Sequence, residues 1–198
     1  MRVDPSKIDF EKLRDEFAKK VQRKHTALHD IRELVEKKLA QMLAQNAKRM
    51  DYYKKYQMIV ADYNREKDRA TVEATFAKIA ELVSEMDAEL QRHVREGLSE
   101  DELALFDLLL KESISKADRE KLKQASKGLL ASIKEHLASM PNWTKNTTTQ
   151  ADVQVFILDN LYAVLPRPPF TDEDADALAE QLYGFVWQQS ERGHMMAA

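Results

Sequence analysis

Residues 35–64, VEKKLAQMLAQNAKRMDYYKKYQMIVADYN, decide the fold class of this chain. Apolar side chains recur every three to four residues on both sides of Asn46, which is the pattern of two amphipathic helices joined by a short corner. The second helix should place Tyr53, Tyr56 and Ile59 on its buried side and lysines on its other faces. The stretch therefore predicts a basic helical hairpin that carries tyrosines.

The same spacing extends from the hairpin toward both ends of the chain. Between Pro5 and Gly97 the sequence contains neither glycine nor proline, so helix breaks in this region depend on Asn, Asp and Thr. The N-terminal part predicts either one long helix or two helices with a break near His25. Thr71 is expected to open a further helix that ends at Gly97, because glycine is the common residue just after a helix.

Start and stop signals are clearer in the second half. Ser99 and Glu102 fit a capping box, in which each side chain pairs with the other residue's backbone N–H. Ser115 is expected to begin another helix, which should stop before Pro141 because proline disfavours helix at the preceding residue. The polar residues at 142–150 predict a loop. The last two helices are expected over 152–165 and after a cap at Thr171.

Together these signals predict an all-α fold, an irregular bundle of about six to seven helices with a long N-terminal helix or a kinked helix pair. A chain of 198 residues can bury about 70 % of its unfolded surface, which is enough for a real core. We expect one domain over residues 1–198. Its parts are a helical region without Gly or Pro (6–96), a second helical half (97–192) and a tail (193–198) in which His194 is native or cloning sequence.

The charges are distributed unevenly. Residues 1–68 carry 17 Lys and Arg against 12 Asp and Glu, whereas residues 69–198 carry 14 against 22. A basic half is typical of a chain that meets a polyanion or an acidic partner, although a solvated helix surface gives the same pattern. The candidate residues for contact with a partner or with DNA are Lys19, Lys20, Arg23, Lys24, Lys37, Lys38, Lys48, Arg49, Lys54 and Lys55.

The sequence offers no catalytic site. It lacks a phosphate-binding glycine loop, so this chain is not expected to hydrolyse ATP on its own. His25 and His29 have the spacing of two metal ligands on a helix, but a third ligand is missing, and a surface or packing role is favoured. The acidic runs 100–102 and 172–174 fall on first helix turns, where capping explains them. We therefore predict no catalytic, cofactor-binding or metal-binding residue.

Neither a cysteine nor an apolar run long enough to span a membrane occurs. These two observations favour a reducing compartment and exclude a membrane-spanning helix.

Four sets of residues carry a family resemblance. The first set is Glu36-Lys37-Lys38-Leu39, Met42-Leu43, Asn46, Arg49, Tyr53, Tyr56-Gln57, Ile59 and Tyr63-Asn64. The others are GLSEDELALFDL at 97–108, FILDNLY at 156–162 with LPRPPFT at 165–171, and VWQ at 186–188. From about residue 10 to residue 189 the chain resembles the helical C-terminal domain of the restriction (motor) subunit of type I restriction-modification enzymes. Ala47 departs from the family, which often has proline there.

The resemblance implies that this chain is the C-terminal part of a larger subunit, with the nuclease and the two ATPase lobes missing. The complete subunit would be an ATP-dependent, site-specific deoxyribonuclease that holds ATP and Mg in those missing domains. This domain would have no cofactor and would dock the motor on the methyltransferase and specificity subunits in a prokaryotic cytoplasm. Two alternatives stay open: direct binding of the DNA backbone by the basic hairpin, and an unrelated helical scaffold.

Overall fold

The structure is a computed structural model that describes residues 24–65, 69–112 and 114–193. Over these residues the chain is all-α, without a strand, which confirms the expected fold class. Seven helices have ten or more residues, and one has five. The helices are α1 (Lys24–Gln45), α2 (Met50–Arg65), α3 (Arg69–Leu90), α4 (Arg92–Glu96), α5 (Glu100–Leu109), α6 (Lys116–Ala138), α7 (Thr147–Val164) and α8 (Asp172–Glu191).

The chain divides into two compact units, residues 1–95 and 96–198. In the first unit, α1 and α2 both pack against α3. Their apolar stripes meet in one core, because side chains three and four positions apart lie on the same face of a helix. Each fully buried aliphatic side chain there contributes about 2 kcal/mol. The core consists of Leu28, Ile31, Val35, Leu39, Met42, Tyr56, Ile59, Tyr63, Val72, Phe76, Ile79, Leu82, Val83 and Met86.

The second unit is a four-helix arrangement. Helix α5 packs on α6, α6 on α7 and α7 on α8, and α8 returns to α5, so the four helices enclose one core. Phe106 of α5 is among its largest fully buried side chains. Trp143 also packs there, from the 3₁₀ helix Trp143–Lys145 between α6 and α7.

The predicted caps are confirmed. Ser99 and Glu102 form a complete capping box at the start of α5, and Ser115 Oγ accepts the backbone N–H of Asp118 at the start of α6. Thr171 and Asp174 form a second capping box at the start of α8. Helix α6 ends at Ala138, before Pro141, as expected.

Three predicted boundaries are wrong. The helix expected from Thr71 to Gly97 starts by Arg69 and is interrupted at Gln91, although Gly97 has the expected positive φ of 66°. The predicted polar loop over 142–150 is a 3₁₀ helix followed by the first turn of α7. The side chain of Asn146 starts that turn because it accepts the backbone N–H of Thr148. The N-terminal helical pattern over 6–23 and the tail from His194 lie outside the described residues.

Candidate interaction surface

The corner of the hairpin is built on a buried asparagine. Asn46 is 2 % exposed, and its side-chain oxygen accepts the backbone N–H of Lys48 at 3.0 Å. Its own backbone N–H donates to the carbonyl of Met42 at 2.9 Å. A 3₁₀ helix, Ala47–Arg49, then leads directly into α2. The corner predicted at Asn46 is therefore confirmed, with Ala47 in place of proline.

Two of the candidate basic residues do not face solvent. Arg49 is 3 % exposed, and its Nε lies 3.2 Å from Glu89 Oε1 on α3. Lys38 is 5 % exposed and is paired with Asp87, also on α3. Contact with a partner or with DNA requires exposed side chains, whereas Lys38 and Arg49 are buried. Both side chains instead fasten the hairpin to α3, because a buried charge requires a partner of opposite sign.

A third basic residue, Lys55, and two tyrosines extend this contact. Lys55 Nζ lies 2.6 Å from Glu85 Oε1 on α3, and this hydrogen bond raises the pKa of Lys55. Tyr56 donates its hydroxyl proton to Glu36 at 2.5 Å, and burial together with this bond raises the pKa of Tyr56 to about 12. Burial also raises the pKa of Tyr52, with the charges of Glu89 and Glu85 adding to the effect. The inner side of the hairpin is therefore a paired polar layer around an apolar core.

Four candidate lysines are exposed, namely Lys37, Lys48, Lys54 and Lys55. Lys37 pairs with Glu33 and Lys54 with Asp51, each within one helix turn. Lys48 is exposed at the corner. Exposed pairs of this kind contribute little to stability. Of the remaining candidates, Lys19, Lys20 and Arg23 lie outside the described residues, as does the side chain of Lys24.

The solvent side of α2 carries large apolar side chains. Met50 is 43 % exposed, Tyr53 37 % and Met58 70 %, and Lys54 lies between Tyr53 and Met58 around the helix. We call these four residues the α2 outer face. The expected burial of Tyr53 is therefore wrong, whereas that of Tyr56 and Ile59 is confirmed. The exposure of Met58 is not among the expectations from the sequence. Met58 lies four residues after Lys54 and four before Asp62, both exposed positions, so all three share the solvent side of the helix.

An aromatic cluster forms a second distinctive feature, in the unit that begins at Glu96. Trp143, Tyr183 and Trp187 contact one another with ring centroids 5.4–5.9 Å apart. The Trp143 indole N–H donates to Ser190 Oγ at 3.2 Å. Burial raises the pKa of Tyr183.

A cavity of about 410 Å³ adjoins Trp143, between the end of α6 and the end of α8. Thr144 at its rim already donates a hydrogen bond to Glu191 at 2.8 Å. This hydrogen bond and that of the Trp143 indole both join the 3₁₀ helix to the end of α8, so the cluster serves the packing of α8 against the 3₁₀ helix.

The described residues contain no group of three His, Asp or Glu side chains that could hold a metal ion. His29 is exposed, and the side chain of His25 lies outside the described part. Over residues 24–65, 69–112 and 114–193, none of the helices has the length and apolar character needed to cross a membrane. The most unusual surface of the hairpin is the α2 outer face, because it exposes three large apolar side chains.

Comparison with known protein families gives a match over most of the chain. The family model described as type I restriction enzyme HindI endonuclease subunit-like, C-terminal, matches residues 2–182. No curated protein and no solved structure matches the chain. The match covers both compact units and nearly all of the described residues.

Proposed function

The chain belongs to the type I restriction enzyme HindI endonuclease subunit-like C-terminal family, and on that premise we propose that it is a non-catalytic assembly domain. In this role it docks the motor subunit on the methyltransferase and specificity subunits in the cytoplasm of a prokaryotic cell. ATP-driven DNA translocation and cleavage then proceed from a recognition site that the assembled complex holds. ATP and Mg act in other domains of the complete subunit.

The observation that carries this proposal is the exposure of Met50, Tyr53 and Met58 on the α2 outer face. Three large apolar side chains on one short helix are costly to leave in water unless a partner covers them. Tyrosine is enriched among the residues that dominate binding energy, and methionine adapts to irregular surfaces. Lys54, between them, supplies a charge at the rim of such a contact.

The rigidity of the hairpin supports the same role. Lys38, Arg49 and Lys55 each form an ion pair with a carboxylate of α3, so the hairpin is held in place before any partner arrives. A surface that is already ordered loses less conformational entropy when it binds. The α2 outer face therefore has the support that a docking surface needs.

DNA-backbone binding by the hairpin is the rival function. It depends on free cations, and three of the ten candidates, Lys38, Arg49 and Lys55, instead pair with acidic residues of α3. Lys37, Lys48, Lys54 and Lys55 are the exposed candidates whose side chains are described, and Lys55 among them pairs with Glu85. A protein that neutralises several phosphates loses affinity steeply as salt rises.

The test is co-purification of the complete motor subunit with the methyltransferase and specificity subunits, with and without this domain. We expect deletion of the domain to abolish assembly. Tyr53→Ala with Met58→Ala should weaken assembly by about 2 kcal/mol, or about thirtyfold in Kd, because contacts of this kind carry such energies. The matched control is Ser84→Ala on the exposed side of α3.

Unchanged assembly after deletion of the domain would refute the docking role. A gel-shift titration with duplex DNA at several salt concentrations distinguishes DNA-backbone binding from the docking role. The rival requires that the wild-type chain bind DNA at low salt and that Lys37→Ala, Lys48→Ala and Lys54→Ala together reduce the slope of affinity against salt. The docking role predicts that Tyr53→Ala leaves any such DNA affinity unchanged.

A further inference from the structure

The exposed side of α7 carries two interleaved seven-residue repeats. Val155 and Tyr162, 57 % and 37 % exposed, are seven positions apart, and so are the exposed carboxylates Asp152 and Asp159. Seven residues make nearly two helical turns, so all four side chains leave α7 on one side. We call these four residues the α7 outer stripe. Large apolar side chains exposed at this spacing are unusual on a helix whose opposite side is buried.

The surroundings of the stripe are predominantly acidic. Tyr162 donates its hydroxyl proton to Asp176 of α8 at 2.8 Å, so the surface continues onto α8, where Glu180 follows one turn later. Neither Asp159 nor Glu180 forms an ion pair with any residue that the structure describes. The unit formed by residues 96–198 contains 10 Lys and Arg against 17 Asp and Glu. Its negative potential attracts cationic partners and repels nucleic acid.

The basic side chains beside the stripe already have partners. The guanidinium of Arg167 lies 4.7 Å from the Tyr162 ring centroid and pairs with Asp172. His136 Nε2 lies 2.8 Å from Asp152 Oδ2, and the imidazole stacks on Phe156 at 3.8 Å between ring centroids. These contacts order the two ends of the stripe and leave its middle, at Val155 and Asp159, open.

The spacing and the charge together define what fits this surface. A helix packs lengthwise on another helix when both repeat their contact residues every seven positions. Apolar side chains of the partner would cover Val155 and Tyr162, and Lys or Arg residues beside them would meet Asp152 and Asp159. We propose that the α7 outer stripe docks a basic amphipathic helix of a partner subunit. This inference rests on the proposed assembly function and adds a second contact to it, with a stated partner chemistry.

The experiment uses two fluorescent helical peptides that differ only in charge. One repeats leucine and lysine every seven residues, and the other has glutamate at the lysine positions. We expect the complete 198-residue chain to bind the lysine peptide in an anisotropy titration. Asp152→Lys with Asp159→Lys should weaken that binding at least about tenfold and should allow the glutamate peptide to bind, because charge pairs across an interface determine partner choice.

The control carries the same kind of charge reversal elsewhere. Glu120 lies on α6, sixteen residues before His136 and hence on nearly the opposite side of that helix. Glu120→Lys should leave binding of the lysine peptide nearly unchanged, so an equal loss in this variant and in the α7 double variant overturns the proposal. Val155→Lys is a second test that keeps both carboxylates, and we expect it also to weaken binding of the lysine peptide. Circular dichroism verifies that each variant is folded.

Other results assign the surface to other occupants and overturn the proposal. If the wild-type chain sediments as a dimer that the double variant dissociates, the stripe binds a second copy. If neither peptide binds at low salt, the basic helix is refuted. The same double variant, placed in the complete motor subunit, separates the two proposals. Assembly that requires the domain but tolerates Asp152→Lys with Asp159→Lys refutes the α7 contact and leaves the docking role intact.

Discussion

Arg49 is almost as inaccessible to water as the leucines of the same core, because Glu89 on α3 compensates its charge. A second arginine, Arg92, also contacts Glu89, at 3.0 Å, so this carboxylate serves two elements. Removal of one member of a buried pair leaves an uncompensated charge, which costs far more than the pair itself contributes. At the scale of single residues, the hairpin thus depends on α3 for its stability.

We predict that Arg49→Ala lowers the free energy of unfolding by about 3 kcal/mol, because Glu89 would lose the more deeply buried of its two arginine partners and keep Arg92 alone. Urea denaturation followed by circular dichroism measures this loss. Lys48→Ala is the matched control, since Lys48 is the adjacent exposed cation, and it should change stability by less than about 0.5 kcal/mol. Arg49→Met with Glu89→Leu should recover most of the loss. A loss for Arg49→Ala no larger than for the control would contradict the structural role.

A second prediction concerns alkaline pH. The pKa of Tyr56 is about 12 in the folded chain, whereas an unfolded tyrosine ionises near its ordinary value of 10.0. Between these values the unfolded state releases a proton that the folded state keeps, so the stabilising effect of Tyr56 is present below pH 10 and is lost as pH rises toward 12. Stability should therefore fall by about 2 kcal/mol more in the wild type than in Tyr56→Phe across this range.

Below pH 10, Tyr56→Phe should cost about 1 kcal/mol, because its bond to Glu36 disappears. Urea titrations at pH 9 and pH 11 measure both effects. Tyr53→Phe serves as the comparison, since Tyr53 is exposed on the same helix. Equal pH dependence in the wild type and in Tyr56→Phe would show that another group is responsible.

At the scale of helices, the sequence predicts those contacts whose two residues lie close together in the chain. Ser99 with Glu102 and Thr171 with Asp174 form capping boxes whose members are three residues apart, so the sequence contains the whole interaction. The burial of Lys38 and Arg49 depends on carboxylates 49 and 40 residues away, and no local pattern reports such a pairing. The predicted burial of Tyr53 is wrong for a related reason. Tyr52, Tyr53 and Tyr56 are the same residue type, and packing against α1 and α3 determines that Tyr56 is the one that is buried.

The start of α7 shows the same limit. Thr147, Thr148 and Thr149 are weak helix formers in a polar segment, which suggested a loop. Asn146 provides the cap, and Thr149 Oγ1 donates to the carbonyl of Trp143 at 2.9 Å, so the buried indole fixes the backbone from which α7 begins. Tertiary contact therefore overrides a local preference at this helix end.

We predict that Ser99→Ala and Thr171→Ala each lower the free energy of unfolding by about 1 kcal/mol, because each leaves a backbone N–H of a first helix turn unpaired. Thr147→Ala at the start of α7 is the comparison, since Asn146 and not Thr147 caps that helix. The readout is the urea midpoint at constant m-value. If Thr147→Ala costs as much as Thr171→Ala, loss of the threonine itself and not of the cap is the cause.

At the scale of the whole molecule, the residues that the structure describes form two cores. One contains side chains of α1, α2 and α3, and the other contains side chains from Leu98 to Val186. A unit with its own core and its own caps has the attributes of an independent folding unit. The family match nevertheless spans both, over residues 2–182.

We predict that a fragment of residues 96–193 folds by itself. Its four long helices enclose Phe106, Ile157 and Leu182, each fully buried, so the fragment keeps the apolar contacts that stabilise it. Circular dichroism should show a helical spectrum, and calorimetry should show one cooperative transition. Leu182→Ala in the fragment should lower stability by about 3 kcal/mol. A non-cooperative transition in the unmodified fragment would show that this core is insufficient.

The aromatic cluster around Trp143 has a practical consequence. The chain has only two tryptophans, and Trp143 and Trp187 are in contact with each other in the unit that begins at Glu96. Intrinsic tryptophan fluorescence therefore does not report the unfolding of the hairpin and of α3, whereas far-ultraviolet circular dichroism includes the signal of these helices. A denaturation curve recorded with both probes on one sample separates the two units spectroscopically, without a label and without cutting the chain.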